Sequence, residues 1–270
     1  MMKDVLQSWL AEDIGDGDVT SDATISNIQC QAKVSGGPGF LSGIEVCKVL
    51  LEMEDIHFIT KFKDGDQINS KELIFELSGN SHDILRVERV LLNILSHLSG
   101  IATSTAKVVE KAKAINPNVQ ILATRKTTPG LRSFEKEAVV HGGGETHRYR
   151  LDDAILIKDN HLKINSNISE LVVKARKKYP DLMVEVEADT VEQAVEANNA
   201  KADRIMLDNF KPELVGSTVK RLREQSNVEI EVSGGINLDN VGDYAPYADF
   251  ISLSSLTMSA PPVDFSLHVT

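Results

Sequence analysis

The chain has 270 residues, a formal charge of −11, 41% hydrophobic and 26% charged residues, a size that suits one large α/β domain or a medium domain with a smaller companion. The acidic balance argues against nucleic acid as a main partner. No apolar run approaches the roughly 20 residues that span a bilayer, and "MMKDVLQSWLAEDIGDGD" lacks the apolar core of a signal peptide. The two cysteines, Cys30 and Cys47, form no metal-spaced or redox motif. A reduced, cytoplasmic protein with buried thiols is expected.

In chain order, "VLQSWLAEDI" reads as a short amphipathic helix and "IQCQAKVS" alternates like a strand. "GGPGFLSG" is a glycine-rich turn, and "IEVCKVLLEM" has helical spacing. "HFITKF", "KDGDQI" and "KELIFELSG" read as strand, turn, strand. From Ile84 a long helix begins whose apolar residues cover more than one face, so it is expected to be buried on several sides, in the core or against a second subunit.

From about residue 118 the pattern becomes regular. "VQILAT", "AILIK", "MVEVE", "DRIMLD", "VEIEVS" and "DFISLS" are nearly continuous apolar strand candidates. "ISELVVKARKKY", "TVEQAVEANNA" and "PELVGSTVKRLREQ" are helical patterns between the later ones. Such alternation implies a parallel sheet covered by helices. The last four strand ends, Glu187, Asp208, Ser233 and Ser254, are 21, 25 and 21 residues apart. With no GxGxxG after a strand, this spacing favours an α/β barrel over an open doubly wound sheet. The expected division is an N-terminal domain over 1–112 and a barrel over 113–262, with the tail 263–270 returning to the first.

In a parallel barrel the active site lies at the C-terminal ends of the strands. Those ends carry Arg125, Lys126, Lys158, Glu187, Asp208, Ser233 and Ser254. A strand end needs polar residues in any case, but cations on the early strands and carboxylates on the middle ones suggest a catalytic mouth. "HGGGETHRYRLDDAILIKDNH" holds His141, His147 and His161, and its three glycines free the backbone for close approach to a ligand. Arg125, Lys126, His147, Arg148 and Lys158 can then converge on a ligand with several negative charges, carboxylates and phosphates together. Ser233, Gly234 and Gly235 in "EVSGGI" form a turn suited either to phosphate binding or simply to tight geometry.

These strings resemble the quinolinate phosphoribosyltransferase family. The resemblance rests on "ATRKTTPGLR", the HGGG segment, "VEVE", "IMLDN", "VSGGI" and "SSLTMSAPPVDFSL". It extends to "AEDIGDGDVTSDATI" and "VERVLLNILSHLSGIAT" in the first half. It implies a TIM-like α/β barrel with an N-terminal α/β sandwich domain. It also implies transfer of phosphoribose from phosphoribosyl pyrophosphate to quinolinate, with Mg²⁺, yielding nicotinate mononucleotide, pyrophosphate and CO2. By resemblance, Arg125, His147, Arg148 and Lys158 line the quinolinate pocket, and Arg89 is supplied to it by the neighbouring subunit of a homodimer. Lys126, Glu187, Asp208, Ser233, Gly234, Gly235 and Ser254 contact phosphoribosyl pyrophosphate. Lys158, Glu187 and Asp208 are the catalytic group, and Glu187 and Asp208 lie near the metal without necessarily ligating it. Two positions depart from the family's G-x-L-T-H-S motif: its glycine is Ser254 here and its histidine Met258.

Two alternatives stand beside this reading. A barrel aldolase would use Lys158 as a Schiff base. A paralogue, such as the molybdenum-transport-associated relatives, would keep the fold and alter or lose the activity.

Overall fold

The computed structural model describes residues 2–270. By internal packing the chain divides into two units. The first comprises 1–104, 140–143 and 260–270, and the second 105–139 and 144–259.

The first unit holds α1 (Met2–Ile14), α2 (Val19–Thr24), β1 (Gln29–Gly36), β2 (Gly39–Phe40), α3 (Ile44–Met53), β3 (His57–Ile59), β4 (Gln67–Ile68) and β5 (Glu72–Asn80). The long helix α4 follows (Ser81–Lys113). The last strand, β13 (Phe265–Val269), completes an antiparallel sheet in the order β13-β1-β5-β3. Ser35 pairs with Ser266 and Val34 with Leu267. Leu6, Leu41, Ile44, Leu50, Phe75 and Leu91 are completely buried and form the core of this unit with the sheet's apolar face. The α4 rows Ile84, Val87, Leu91, Leu95 and Val90, Ile94, Leu98, Ile101 are both buried, in keeping with an apolar surface wider than one stripe.

Some local expectations are corrected. The glycine-rich turn contains β2, which pairs with β4 from the expected "KDGDQI" turn. Both are two residues long, too short for periodicity to register. Cys47 is buried, but Cys30, on β1, is only half-buried. Burial raises the Cys47 thiol well above its ordinary value.

In the second unit the elements are β6 (Gln120–Ala123), α5 (Arg132–His141), β7 (Glu145–Thr146), β8 (Ile155–Ile157), α6 (Asp159–Ile164), α7 (Ile168–Lys178), β9 (Val184–Ala188), α8 (Val191–Asn199), β10 (Arg204–Asp208), α9 (Pro212–Arg223), β11 (Glu229–Ser233), α10 (Val241–Tyr244), β12 (Phe250–Leu253) and α11 (Ser255–Met258). The crossover helices begin where cap signals stand. Asn167 accepts from the Glu170 amide, Thr190 and Gln193 form a capping box, and Pro212 opens α9.

All seven strands are parallel, in the order β7-β6-β12-β11-β10-β9-β8. The edge strands β7 and β8 are not bonded to each other, so the ring is open at one point. Residues from all seven strands or their C-terminal extensions nevertheless line one cavity, which requires a sheet curled into a barrel. The six strands read from the sequence are present. The seventh, β7, lies two residues long in the HGGG segment. The nearly continuous apolar runs carry buried charges. Glu185 and Glu231 are completely buried, facing the barrel interior among apolar neighbours that face the helices.

Candidate active site

A cavity of about 370 Å³ opens at the C-terminal ends of the strands. Thr124, Arg125 and Lys126 reach it from the end of β6, His147 and Arg148 from β7, and Leu156 and Lys158 from β8. Glu187 enters from β9, Met206 and Asp208 from β10, Glu231 and Ser233 from β11, and Ser252 from β12. The five cationic or potentially cationic side chains of the sequence reading converge here, with the carboxylates Glu187 and Asp208.

Strand register explains the arrangement. Met206 pairs with Glu187 on one side and Glu231 on the other, and Asp208 pairs with Ser233. Side chains of equal parity face the same side of a sheet, so these residues form successive layers inside the barrel. The same parity carries Glu185 inward, one layer below Glu187.

A buried ionic cluster joins the two layers. His147 Nε2 lies 2.9 Å from Glu185 Oε2 and 3.4 Å from Glu231 Oε2. Arg204 adds a contact of 3.4 Å to Glu231 and stacks 3.7 Å from the centre of the Phe250 ring. Burial works against the His147 imidazolium, but its hydrogen bonds to Glu185 and Glu231 prevail and push it up to about 9. Burial and the nearby Glu231 charge push Glu185 up to about 7, against the pull of His147. His147 is therefore held as a cation at neutral pH. Among the described residues, five buried side-chain polar atoms lack a hydrogen-bond partner within the protein. Four of these, Arg125 Nε, Glu185 Oε1, Glu231 Oε1 and Ser252 Oγ, belong to the pocket or this cluster.

At the opposite wall Lys158 Nζ is 3.7 Å from Glu187 Oε2. Burial raises Glu187 and also Asp208; Lys158 counteracts it at both, while Asp208 adds to it for Glu187 and Asp189 for Asp208. Glu187, Asp189 and Asp208 each present an oxygen within 4.8 Å of the others. An all-carboxylate set suits a hard divalent cation. Asp189 did not emerge from the sequence, where the strand end was read at Glu187.

The phosphate-type turns differ in placement. Ser233 lines the pocket, and Gly234 and Gly235 follow with φ of +88° and +64°. A Cβ on Gly234 would collide with the Asn209 side chain and lie 2.6 Å from its amide nitrogen. Only glycine fits this approach. Asn209 N–H donates to the Ser233 carbonyl at 2.9 Å and holds the turn against β10. Ser254 precedes α11 and is not among the lining residues, and Met258 is 58% exposed. The neighbouring Thr257 hydroxyl donates to the Lys126 carbonyl at 2.6 Å, tying the β12 loop to the β6 loop.

The HGGG segment contributes less than expected. None of its glycines lines the pocket. The Gly143 and Gly144 amides donate to the carbonyls of Val140 and Val139 at 2.9 and 3.0 Å and close the C-terminus of α5. His141 bonds Ser42, and His161 accepts the Lys158 N–H at 2.9 Å at the start of α6. Only His147 of these three histidines reaches the cavity. Arg89 is exposed on α4 and does not line the cavity of its own chain.

The sequence reading passed over Glu231 and Ser252, which line the pocket, and Glu185, Asp189 and the helix-borne Lys136, which contact or neighbour residues that line it. The alternation of glutamates in "MVEVE" and "VEIEV" is a signal for Glu185 and Glu231, since a charge at every second position of a buried strand implies a polar interior. Lys136 gives no such signal, standing in an ordinary helical pattern.

A parallel barrel whose mouth gathers five cationic or potentially cationic side chains with Glu187 and Asp208 defines an enzyme acting on a polyanionic small molecule. Residues 18–99 match the N-terminal domain of quinolinate phosphoribosyl transferase and residues 101–268 its C-terminal domain. The chain belongs to the quinolinate phosphoribosyltransferase family. It is 41% identical, over 99% of both chains, to a Methanothermobacter thermautotrophicus protein named "Probable nicotinate-nucleotide pyrophosphorylase [carboxylating]". It is 37% identical to the human nicotinate-nucleotide pyrophosphorylase [carboxylating], over 98% of this chain and 90% of that one. The solved nicotinate-nucleotide pyrophosphorylase of Francisella tularensis superposes with a TM-score of 0.94 at 36% identity, covering all of this chain and 96% of that one.

Proposed function

We propose that this pocket joins quinolinate to phosphoribosyl pyrophosphate, releasing pyrophosphate and CO2 and forming nicotinate mononucleotide for NAD biosynthesis, the reaction of the family to which the chain belongs. The observation that carries the assignment of roles is the convergence of Arg125, Lys126, His147, Arg148 and Lys158 on one cavity facing Glu187 and Asp208. Quinolinate is a pyridine with two adjacent carboxylates. The guanidinium groups of Arg125 and Arg148 suit planar carboxylates, and the cationic His147 adds a charged donor beside them. Lys126 and the Ser233–Gly234–Gly235 turn serve the phosphates of the second substrate, with Ser254 as a more distant contributor.

Held in this clamp, the pyridine nitrogen faces the anomeric carbon, and orientation provides much of the acceleration. A bond forms from nitrogen to carbon as the bond to the pyrophosphate oxygen breaks, and the departing electrons remain on pyrophosphate. Glu187 and Asp208 stabilise the positive character of the ribose as it develops. Lys158, paired with Glu187, keeps that carboxylate oriented and faces the substrate's negative charge. The resulting pyridinium accepts the electrons of the C2–carboxylate bond as CO2 leaves, and a proton then takes the vacated position. No nucleophilic side chain is required. Glu187, Asp208 and Asp189 fit a Mg²⁺ ion, directly or through water. When bound, the metal neutralises pyrophosphate charge.

We further propose a homodimer in which Arg89 of one subunit completes the quinolinate site of the other, and a cytoplasmic location. No helix among the described residues is long and apolar enough to cross a membrane. The deciding experiment is a coupled assay for nicotinate mononucleotide and pyrophosphate from both substrates with Mg²⁺. Formation of both products is expected. Binding of both substrates without turnover would favour an inactive paralogue, and borohydride trapping at Lys158 a Schiff-base enzyme.

A further inference from the structure

Lys136 is an ammonium with no exposed surface. Its three donors are all used, on the main-chain carbonyls of Ala123, His147 and Arg148 at 2.9, 2.8 and 2.9 Å. The acceptors are not arbitrary. Two belong to pocket cations themselves, and the third lies two residues before Arg125. They sit at the ends of β6 and β7, the neighbouring strands that deliver Arg125, His147 and Arg148. The ammonium also lies 5.0 Å from the centre of the Tyr149 ring, directly after Arg148.

The rest of α5 acts on the same two segments. Arg132 donates to the Tyr149 carbonyl at 3.0 Å and to the Thr127 hydroxyl at 3.1 Å. Glu135 accepts the Thr128 N–H at 3.0 Å. Charged side chains on three positions of one helix thus bind the main chain of both cation-bearing segments. A buried charge is costly to retain. Burial, with Arg132 beside it, brings Lys136 down to about 8. A plain packing site would be filled at less cost by an apolar side chain.

We propose that Lys136 is a positioning residue: by bridging the carbonyls at the ends of β6 and β7, it sets the directions in which Arg125, His147 and Arg148 enter the pocket. It touches main chain only and acts on the ligand through these three side chains. This rests on the assignment of those cations to quinolinate.

The test is calorimetric binding of quinolinate and of phosphoribosyl pyrophosphate to the full-length wild type and to Lys136→Met, with thermal unfolding of each. Quinolinate affinity should fall roughly tenfold or more, the size of one lost charged hydrogen bond, while phosphoribosyl pyrophosphate affinity stays within about threefold. In an Arg148→Ala background the same substitution should cost quinolinate less than it does in the wild type, because part of its effect runs through that arginine. A wild type that does not bind quinolinate sinks the substrate assignment. A wild type that binds it, with Lys136→Met binding equally well or losing both substrates alike, overturns the role of Lys136. Lys136→Gln is made in parallel, since its amide keeps two donors for two of the carbonyls. Should neither variant fold, Lys136 is a stability residue and the positioning role is overturned.

Discussion

Nε2 of His147 lies 2.9 Å from Oε2 of Glu185, although four strands separate β7 from β9 in the sheet order. In a flat sheet the five intervals would put their strands about 24 Å apart, at roughly 4.8 Å each. The contact therefore exists only because the sheet curls, and it places a cation–carboxylate pair at the floor of the pocket.

That pair sets a pH dependence. His147 is raised to about 9 in the folded chain, above its ordinary 6.5. A raised basic group stabilises the fold fully below its unfolded value, and this contribution disappears as pH rises through the folded value. Wild-type stability should fall as pH rises from about 6.5 to about 9, and quinolinate affinity should fall as pH passes about 9. Glu185→Gln removes the nearer carboxylate, so the His147 midpoint should move down. Titration of the His147 ring protons by NMR reads this directly, and an unmoved midpoint would show that Glu231 alone holds the proton.

Replacing Arg148 or Arg125 with alanine should remove most quinolinate binding and leave phosphoribosyl pyrophosphate binding nearly intact. A charged hydrogen bond contributes about 1.5–3 kcal/mol, hence roughly tenfold to a hundredfold in affinity per contact. Isothermal calorimetry on each variant suffices. Equal quinolinate affinity in both variants and wild type would remove these arginines from the site.

The carboxylates Glu187, Asp189 and Asp208 predict a graded metal response. Asp208→Asn should nearly abolish turnover. Asp189→Asn should raise the Mg²⁺ concentration for half-maximal activity severalfold and leave quinolinate binding unchanged. A Mg²⁺ titration of initial rates distinguishes the two. If Asp189→Asn leaves the Mg²⁺ requirement as it was, Asp189 has no part in holding the metal.

If Arg89 completes a partner's pocket, Arg89→Ala and Lys158→Ala proteins should each be nearly inactive alone. After subunit exchange, mixed dimers contain one pocket with both side chains intact. Mixing at equal concentration should therefore recover up to about a quarter of wild-type activity, since half of the dimers are mixed and each has one working site of two. No recovery after demonstrated exchange would place Arg89 in its own subunit's chemistry or outside the reaction.

The sequence alone determined much of this protein. Strand–helix alternation after residue 118 implied the parallel sheet, because buried strands and amphipathic helices leave different periodicities. The strand ends then named Arg125, Lys126, Lys158, Glu187, Asp208 and Ser233, since a barrel presents those ends to one mouth; the HGGG segment added His147 and Arg148. Tertiary structure alone decided the rest. Glu185 joins His147 only through curvature, which no local pattern encodes. Asp189 reaches the carboxylate set from beyond its strand, and Gly143 and Gly144 close a helix instead of facing a ligand. Lys136 looks like any helical lysine until α5 packs beneath two strand ends. Periodicity reports which face of an element is buried. Which buried groups meet depends on how elements from distant parts of the chain pack together.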